Sequence, residues 1–277
     1  MIDLHLHTTA SDGRLTPPQL VEQAAVVGLR VMAVTDHDTT ASVTEVRTLA
    51  GRRGIDAISG IEITATDAGR DVHVLGYFIE PGHAGLTVFL ARQRAARVAR
   101  VEAIGRRLAS LGVPIDLAPL LEEARHQAGR SVGRPHVARA MVTAGHVKDT
   151  REAFDRWLGH GRPGFVPREG AGSEQVIAIV HEAGGVASIA HPGKSIADER
   201  IRSLRDHGLD ALEAFHPDHS ATLVDRYVAL ARSLGLLVTG GSDFHGDPAH
   251  GWSPGSVTLP DAEWQRLSAA RHRHVSR

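Results

Sequence analysis

Short apolar runs in this chain repeatedly end in imidazoles and carboxylates, and that recurrence restricts the folds open to it more than any other feature. Ile2-Asp3-Leu4-His5-Leu6-His7 ends in two histidines, and Asp12 follows in Ser11-Asp12-Gly13. Val31-Met32-Ala33-Val34-Thr35 leads into Asp36-His37-Asp38, and Ile58-Ser59-Gly60-Ile61 leads into Glu62. His73 lies within Val72-His73-Val74-Leu75-Gly76. Val186-Ala187-Ser188-Ile189-Ala190 ends in His191-Pro192-Gly193, and Leu236-Leu237-Val238-Thr239-Gly240-Gly241 ends in Ser242-Asp243-Phe244-His245. Each run has the length and β-branched content of a strand. His5 and His7 are two apart, so on a strand they point the same way. One such histidine is as readily a core or capping residue; the set together predicts a cavity in which they converge.

Strand-like segments at 2–6, 31–35, 55–63 and 72–78 alternate with helical ones. Thr16-Pro17-Pro18-Gln19 reads as a helix start, with Thr16 as N-cap, proline at the first helical position and Gln19 closing a capping box. A second helix is expected at 41–53. The strand signal then disappears, leaving helices at about 86–111, 116–128, 135–145 and 149–159 and a glycine- and charge-rich connector at 161–172. Alternation resumes with helix 173–184, strand 186–190, helix 196–207, strand 209–215, helix 219–234 and strand 236–241. A last strand is expected at 256–259 before a helix at 261–272. Such alternation predicts βα units and a parallel sheet. Seven or eight units with polar residues at the carboxyl ends of the strands favour a closed α/β barrel. An open doubly wound sheet would show a glycine fingerprint after its first strand, and none is present. The expected division is a barrel formed by 1–83 and 166–277, with an all-helical insertion, 84–165, capping it.

Composition narrows the chemistry. With 31 Lys and Arg against 32 Asp and Glu, a net charge of −1 gives no global attraction to nucleic acid or membrane. The absence of cysteine removes disulfides and thiolate ligands, which fits a reducing compartment. No signal peptide and no membrane-spanning stretch are visible, so the expected location is the cytoplasm. Histidine is over-used, at 18 copies. Imidazole and carboxylate ligands suit manganese, iron or zinc. One tetrahedral zinc takes three or four ligands, whereas His5, His7, Asp12, His37, Glu62, His73, His191, Asp243 and His245 offer nine, so two or three divalent ions are expected. Asp36 and Asp38 read equally as ligands, as groups orienting ligands or as turn residues. The chain has only two lysines, Lys148 and Lys194, which does not favour a site built on a modified lysine.

His5-Leu6-His7-Thr8 with Ser11-Asp12-Gly13, Thr35-Asp36-His37-Asp38, Gly60-Ile61-Glu62, Ala190-His191-Pro192 and Ser242-Asp243-Phe244-His245 resemble, in order, the motifs of the PHP (polymerase and histidinol phosphatase) family. The resemblance covers essentially the whole chain. It implies a metal-dependent phosphoesterase on a distorted, seven-stranded TIM-like barrel with a trinuclear site. One ion would lie on His5, His7, Glu62 and Asp243, a second on Glu62, His73 and His191, and a third on Asp12, His37 and His245. Manganese is the leading candidate, with iron and zinc behind it.

The helical segment carries a second clue. Val101, Ile104, Leu108 and Leu111 form an apolar stripe whose backward extension passes through Arg97 and Arg94, with Arg100 beside it. Inward guanidiniums need an anion, and arginine grips phosphate bidentately; a solvated face is the alternative. Arg134-Pro135-His136 reads either as an anion cradle at a helix N-terminus or as a plain helix start. Arg97-x-x-Arg100, Gly133-Arg134-Pro135-His136, Gly161-x-Pro163 and Glu213-Ala214-Phe215-His216-Pro217 resemble the nucleotide phosphatases of the same family. That resemblance implies removal of the 3′-phosphate from 3′,5′-bisphosphonucleosides, with Arg97, Arg100, Arg134 and His136 holding the other phosphate. Its alternative, found among relatives in the same subgroup, is a 5′-to-3′ exoribonuclease on short RNA. His191 and His216 are the candidate catalytic histidines, and His216 reads as phosphate contact, general acid or core residue. The 4% aromatic content offers few stacking platforms for long RNA. Histidinol phosphate would leave the arginines without a second anion, and a non-catalytic metal-loaded module would not need a complete ligand set. No protein partner and no membrane are implied.

Overall fold

In a computed structural model, residues 1–67, 69–193, 196–248 and 251–272 are described; Lys194 lies outside them. Seven strands form one sheet in sequence order: β1 (Ile2–Leu6), β2 (Val31–Val34), β3 (Asp56–Asp67), β4 (Arg70–Tyr77), β5 (Val186–Ile189), β6 (Ala211–Phe215) and β7 (Leu237–Gly240). The sheet curls into a nearly closed barrel. Past the end of β7, His7 donates to Phe244 O at 3.0 Å and Ser242 donates its amide to Asp3 at 2.9 Å, bringing the last strand against the first. Gly241 makes this approach possible. A Cβ there would fall on the His5 amide nitrogen and lie 2.6 Å from His5 Cβ and 2.7 Å from Asp3 Oδ1. Gly241→Ala is therefore expected to cost roughly 1–3 kcal/mol of stability, the usual range for overpacking; an unchanged denaturation midpoint would contradict this.

The sheet is not parallel throughout. β3 and β4 pair antiparallel from Gly60↔Tyr77 to Asp67↔Arg70, and β4 pairs antiparallel with β5. Only residues 64–71 separate the two expected strands, too few for a crossover helix, so a hairpin forms and lengthens both. Gly69, with φ of 78°, turns it. The expected strand at 256–259 is absent as well: Leu259 donates to Ile2 O at 2.9 Å, but this segment is irregular.

The outer helices are α1 (Pro17–Val26), α2 (Val43–Arg52), α7 (Ser173–Glu182), α8 (Asp198–Asp206), α9 (Ala221–Leu234) and α10 (Asp261–Ala269). At the start of α1, Gln19 Oε1 accepts from the Thr16 amide at 2.9 Å and hydroxyl at 3.0 Å, half of the expected capping box. The barrel core packs strand residues such as Ile61, Val74 and Leu212 against Val176, Ile177 and Tyr227. A smaller cluster, around Leu20, Met32, Val46 and Phe244, seals the α1–α2 side.

Between β4 and α7 the described chain is helical: α3 (Ala84–Ser110), α4 (Ala118–His126), α5 (Arg134–Thr143), α6 (Thr150–Ala153) and a π-helical turn at Phe154–Leu158. Val101, Ile104 and Leu108 of α3 pack with Val137, Met141 and Leu158 in a cluster of their own. Leu111, expected on the same stripe, caps the helix and is 43% exposed. This helical region roofs the carboxyl ends of β1 and β2. Ser131 donates to Ala10 O, Arg130 to Ser11 O and Arg139 to Asp12 O, at 2.9, 2.8 and 3.1 Å. No helix among the described residues is long and apolar enough to cross a membrane.

Candidate metal centre and anion pocket

Strand ends place most of the donors, and the β3–β4 hairpin places Glu62 and His73 within its ladder. β1 carries His5 and presents His7 just beyond; β3 carries Glu62 and β4 carries His73, while His37, His191 and the pair Asp243 and His245 follow β2, β5 and β7. Glu62 is the centre, fully buried. Its Oε2 lies 3.3 Å from Nε2 of both His5 and His7 and 3.1 Å from His37 Nδ1. Its Oε1 lies 2.8 Å from His73 Nδ1 and 3.1 Å from His191 Nε2. Asp243 Oδ1 lies 3.2 Å from Nε2 of both His5 and His7, and Asp12 meets His245 Nε2 at 3.3 Å. Among the described residues, donor atoms gather within 4.8 Å of one another in three groups: His5, His7, Glu62 and Asp243; His7, Asp12, His37 and His245; and His37, Glu62 and His73. All nine residues singled out in the sequence thus lie in one cluster. The grouping differs from the expected one, since His7 joins the set around Asp12 and His37 replaces His191 beside His73.

These residues fit divalent cations on a direct observation. His5 Nε2, both nitrogens of His7, His37 Nδ1, His73 Nδ1 and Glu62 Oε2 are buried without a hydrogen bond among the described residues. Buried polar atoms are rarely left so, and coordination would satisfy them together. Burial would raise the carboxyls of Glu62, Asp12 and Asp243, yet the surrounding imidazoles hold all three well below the usual range, so they stay ionised. Burial pushes His37 down to about 3, whereas the carboxylates facing His7 and His191 hold them, against their burial, at about 10 and about 8, so the cluster favours positive charge that bound cations would supply instead. Two site residues adopt left-handed backbone at strand exits, His191 with φ of 22° and Asp243 with φ of 48°. Such strain persists where the surroundings over-determine it.

Polar residues behind the cluster lock it. Asp36 accepts from the Thr8 amide at 2.8 Å and from the Thr8 and Ser11 hydroxyls at 2.6 Å each, so it shapes the β1 exit loop rather than facing the donors. Asp38, fully buried, takes Arg97 and Arg168 together. Burial would raise its carboxyl, but the two guanidiniums hold it below the usual range. His216 Nε2 is 3.3 Å from Asp243 Oδ2, while its Nδ1 accepts from Asp218 N at 3.1 Å. It therefore sits behind Asp243.

The cluster opens into a cavity of about 390 Å³ whose other wall is rich in arginine, with Arg97, Arg100, Arg134, Arg139, Arg151 and Arg168 beside Asp71 and Phe154. Arg100 and Arg134 share Asp71 Oδ2 at 2.7 and 3.0 Å and, against its burial, hold that carboxyl at about 2. Arg134 is itself pushed down to about 10 by burial, despite Asp71, with Arg100, Arg97 and Arg168 adding to the push. Arg100 Nη2 and Arg168 Nε are buried with no hydrogen-bond partner among the described residues. Of the four expected phosphate contacts, Arg97, Arg100 and Arg134 line the cavity and His136 does not. His136 is buried, accepts from Gly133 N at 3.2 Å and caps α5. Arg139, Arg168 and Asp71 escaped the sequence reading. Arg168 carried no local signal, lying in an irregular connector 130 positions from Asp38.

A PHP domain pattern matches residues 3–162. A 5′-3′ exoribonuclease Rnm from Escherichia coli K12 is 36% identical over 251 residues, covering 88% of this chain and 84% of its own. A 3′,5′-nucleoside bisphosphate phosphatase from Chromobacterium violaceum is 33% identical, covering 88% and 87%. A phosphoribosyl 1,2-cyclic phosphate 1,2-diphosphodiesterase from Eggerthella lenta is 34% identical, covering 88% and 94%. A solved structure from Bifidobacterium adolescentis, assigned as a metal-dependent phosphoesterase, superposes with a TM-score of 0.88 at 34% identity over 97% of this chain and 95% of that one. Sequence pattern, relatives and fold agree with the donor cluster at the barrel mouth: the chain belongs to the PHP domain family and is a metal-dependent phosphoesterase.

Proposed function

We propose that the enzyme removes the 3′-phosphate of 3′,5′-bisphosphonucleosides, giving a nucleoside 5′-monophosphate and phosphate. Two or three divalent ions, manganese foremost, would be held by His5, His7, Asp12, His37, Glu62, His73, His191, Asp243 and His245. The observation carrying this reading is the cavity's two-sided chemistry, with ionised carboxylates and imidazoles on one wall and buried arginines on the other. Ions bound there supply an electrophilic grip on phosphate oxygens and lower the pKa of water. Arg100, Arg134 and Arg168 would take the phosphate that is not cleaved, with Asp71 holding the first two in place until it arrives. Arg97 and His136 brace this wall, Arg97 through Asp38 and Thr64 and His136 through the Gly133 amide. Of the two candidate catalytic histidines, His191 lines the cavity and would meet the substrate, whereas His216, which does not line it, would orient Asp243. A cysteine-free chain suits a cytoplasmic setting.

Phosphate release from 3′,5′-bisphosphoadenosine should exceed that from AMP and from histidinol phosphate; equal rates would overturn the assignment. A second reading, 5′-to-3′ exoribonuclease on short RNA, has one observation behind it. A groove of about 800 Å³ adjoins the cavity through Asp71, His73, Arg134 and His191 and continues past Arg70, His160, Phe165 and Arg200. Shortening of a 5′-phosphorylated oligoribonucleotide faster than bisphosphate hydrolysis would favour it. Arg134→Ala is expected to raise KM for the bisphosphate by about 10- to 100-fold, the worth of one charge-assisted contact, and for AMP by much less. Equal losses on both substrates would remove the role of the arginine wall.

A further inference from the structure

Glu213 is a carboxylate in the middle of an apolar strand, Ala211-Leu212-Glu213-Ala214-Phe215, and it is fully buried. It belongs to none of the three donor groups. Both of its oxygens reach that cluster from behind. Oε1 lies 2.9 Å from His5 Nδ1, and Oε2 accepts from the His191 amide at 2.7 Å. A buried carboxylate with no other polar support would be costly to keep there, so what it does for these two partners decides its meaning.

We propose that Glu213 is the positioning residue of the metal centre, fixing the tautomer of His5 with one oxygen and the backbone of His191 with the other. An ionised carboxylate only accepts, so the bond to His5 requires the proton on Nδ1. His5 Nε2 is thereby the nitrogen available to give its lone pair to a cation held together with Glu62 Oε2 and Asp243 Oδ1, which lie 3.3 and 3.2 Å from it. That is the form in which an imidazole coordinates a cation. The second bond acts on a strained residue. His191 has φ of 22°, and the turn after it is tied down by Gly193 N donating to His219 Nε2 and by the Tyr227 hydroxyl donating to Gly193 O. Glu213 holds the near side of that turn and so directs the His191 ring at Glu62 Oε1, 3.1 Å away. One side chain thus couples a donor on β1 to a donor beyond β5. Asp3, another buried carboxylate on β1, bonds among the described residues to the amides of His5, Ser242 and Gly255 and to the Ser242 hydroxyl, not to an imidazole nitrogen.

The inference rests on the reading that the cluster holds divalent cations, and the test separates the two. Glu213→Gln keeps the shape but replaces one acceptor with a donor. Either His5 must turn its Nε2–H toward the cation position, or the His191 amide loses its partner. Zinc is titrated into metal-stripped wild-type protein and the variant, and His5 nitrogens are followed by NMR in the zinc-loaded forms. The expected result is a zinc affinity at the His5 group weaker by about 10- to 100-fold, the usual effect of losing a group that orients a metal-bound imidazole. The Nδ1–H signal of His5 should be lost or shifted, and zinc should be kept at the Asp12, His37 and His245 group. Glu213→Asp, which keeps the charge but reaches only one partner, should fall between the two, and it replaces the glutamine variant should that fail to fold. Wild-type zinc affinity and an unchanged His5 tautomer in the variant, even with a lowered melting temperature, would overturn the proposal. Failure of wild-type protein to bind zinc would instead overturn the underlying reading.

Discussion

Glu62→Ala is expected to reduce phosphate release by about 10³-fold or more in kcat, with KM changing far less. The basis is its position: one buried carboxylate stands within 3.3 Å of His5, His7, His37, His73 and His191. Removing a single preorganised electrostatic contact to a transition state costs about 10²–10³-fold, and here the lost group joins two of the three donor sets. Alanine would also leave five imidazoles facing one another without their anion, so bound metal should fall together with rate. Steady-state kinetics with elemental analysis of the same sample checks both. Near-native kcat in a variant that has lost metal would break the link between the cluster and the chemistry.

Asp38→Ala should have the largest effect on stability, a loss of roughly 3–5 kcal/mol, the penalty of stripping one partner from a buried ion pair. Asp38 is completely buried between Arg97 and Arg168, whose side chains are only 9% and 2% exposed. Both guanidiniums would be left buried without their anion. Its φ of 52° adds a penalty for alanine that asparagine largely avoids. Asp38→Asn, which keeps the shape and tolerates the left-handed backbone, should therefore lose less than alanine and still fall clearly below wild type. Chemical denaturation of the three proteins measures this. A loss under about 1 kcal/mol for alanine would mean that solvent reaches the arginines and that the roof does not rest on this pair.

The donor cluster was legible because strand ends announce themselves twice, in the alternation of the run and in the residue that terminates it. His5 with His7, His37, His191 and Asp243 follow that rule; Glu62 ends its apolar run in the sequence, but β3 continues past it to Asp67. The reversal of β4 was not legible from the same pattern, since alternation encodes a strand's faces and not its direction. The brevity of residues 64–71 carried the information instead. The segment 256–259 looked like a strand but forms no ladder; among the described residues its backbone bond to β1 is the one from the Leu259 amide to Ile2 O. Contacts between distant positions were the hardest to foresee. Glu213 and His5 are 208 positions apart, and Asp71 is 63 from Arg134, so neither partner marks the other locally. Arg97 shows the limit most clearly: its inward place on α3 pointed to an anion, which the sequence suggested was substrate phosphate and the fold supplies as Asp38. His136 shows the converse, a residue that fits an anion cradle by motif and serves in the fold as a helix cap.

Metal content of the purified protein tests the central claim most directly. Elemental analysis of native enzyme should find two or three equivalents of manganese, iron or zinc per chain, removable by a chelator together with all phosphate release and restored by added manganese. Protein that retains no cation, or that releases phosphate undiminished after chelation, would contradict the assignment of His5, His7, Glu62 and their neighbours as a metal centre.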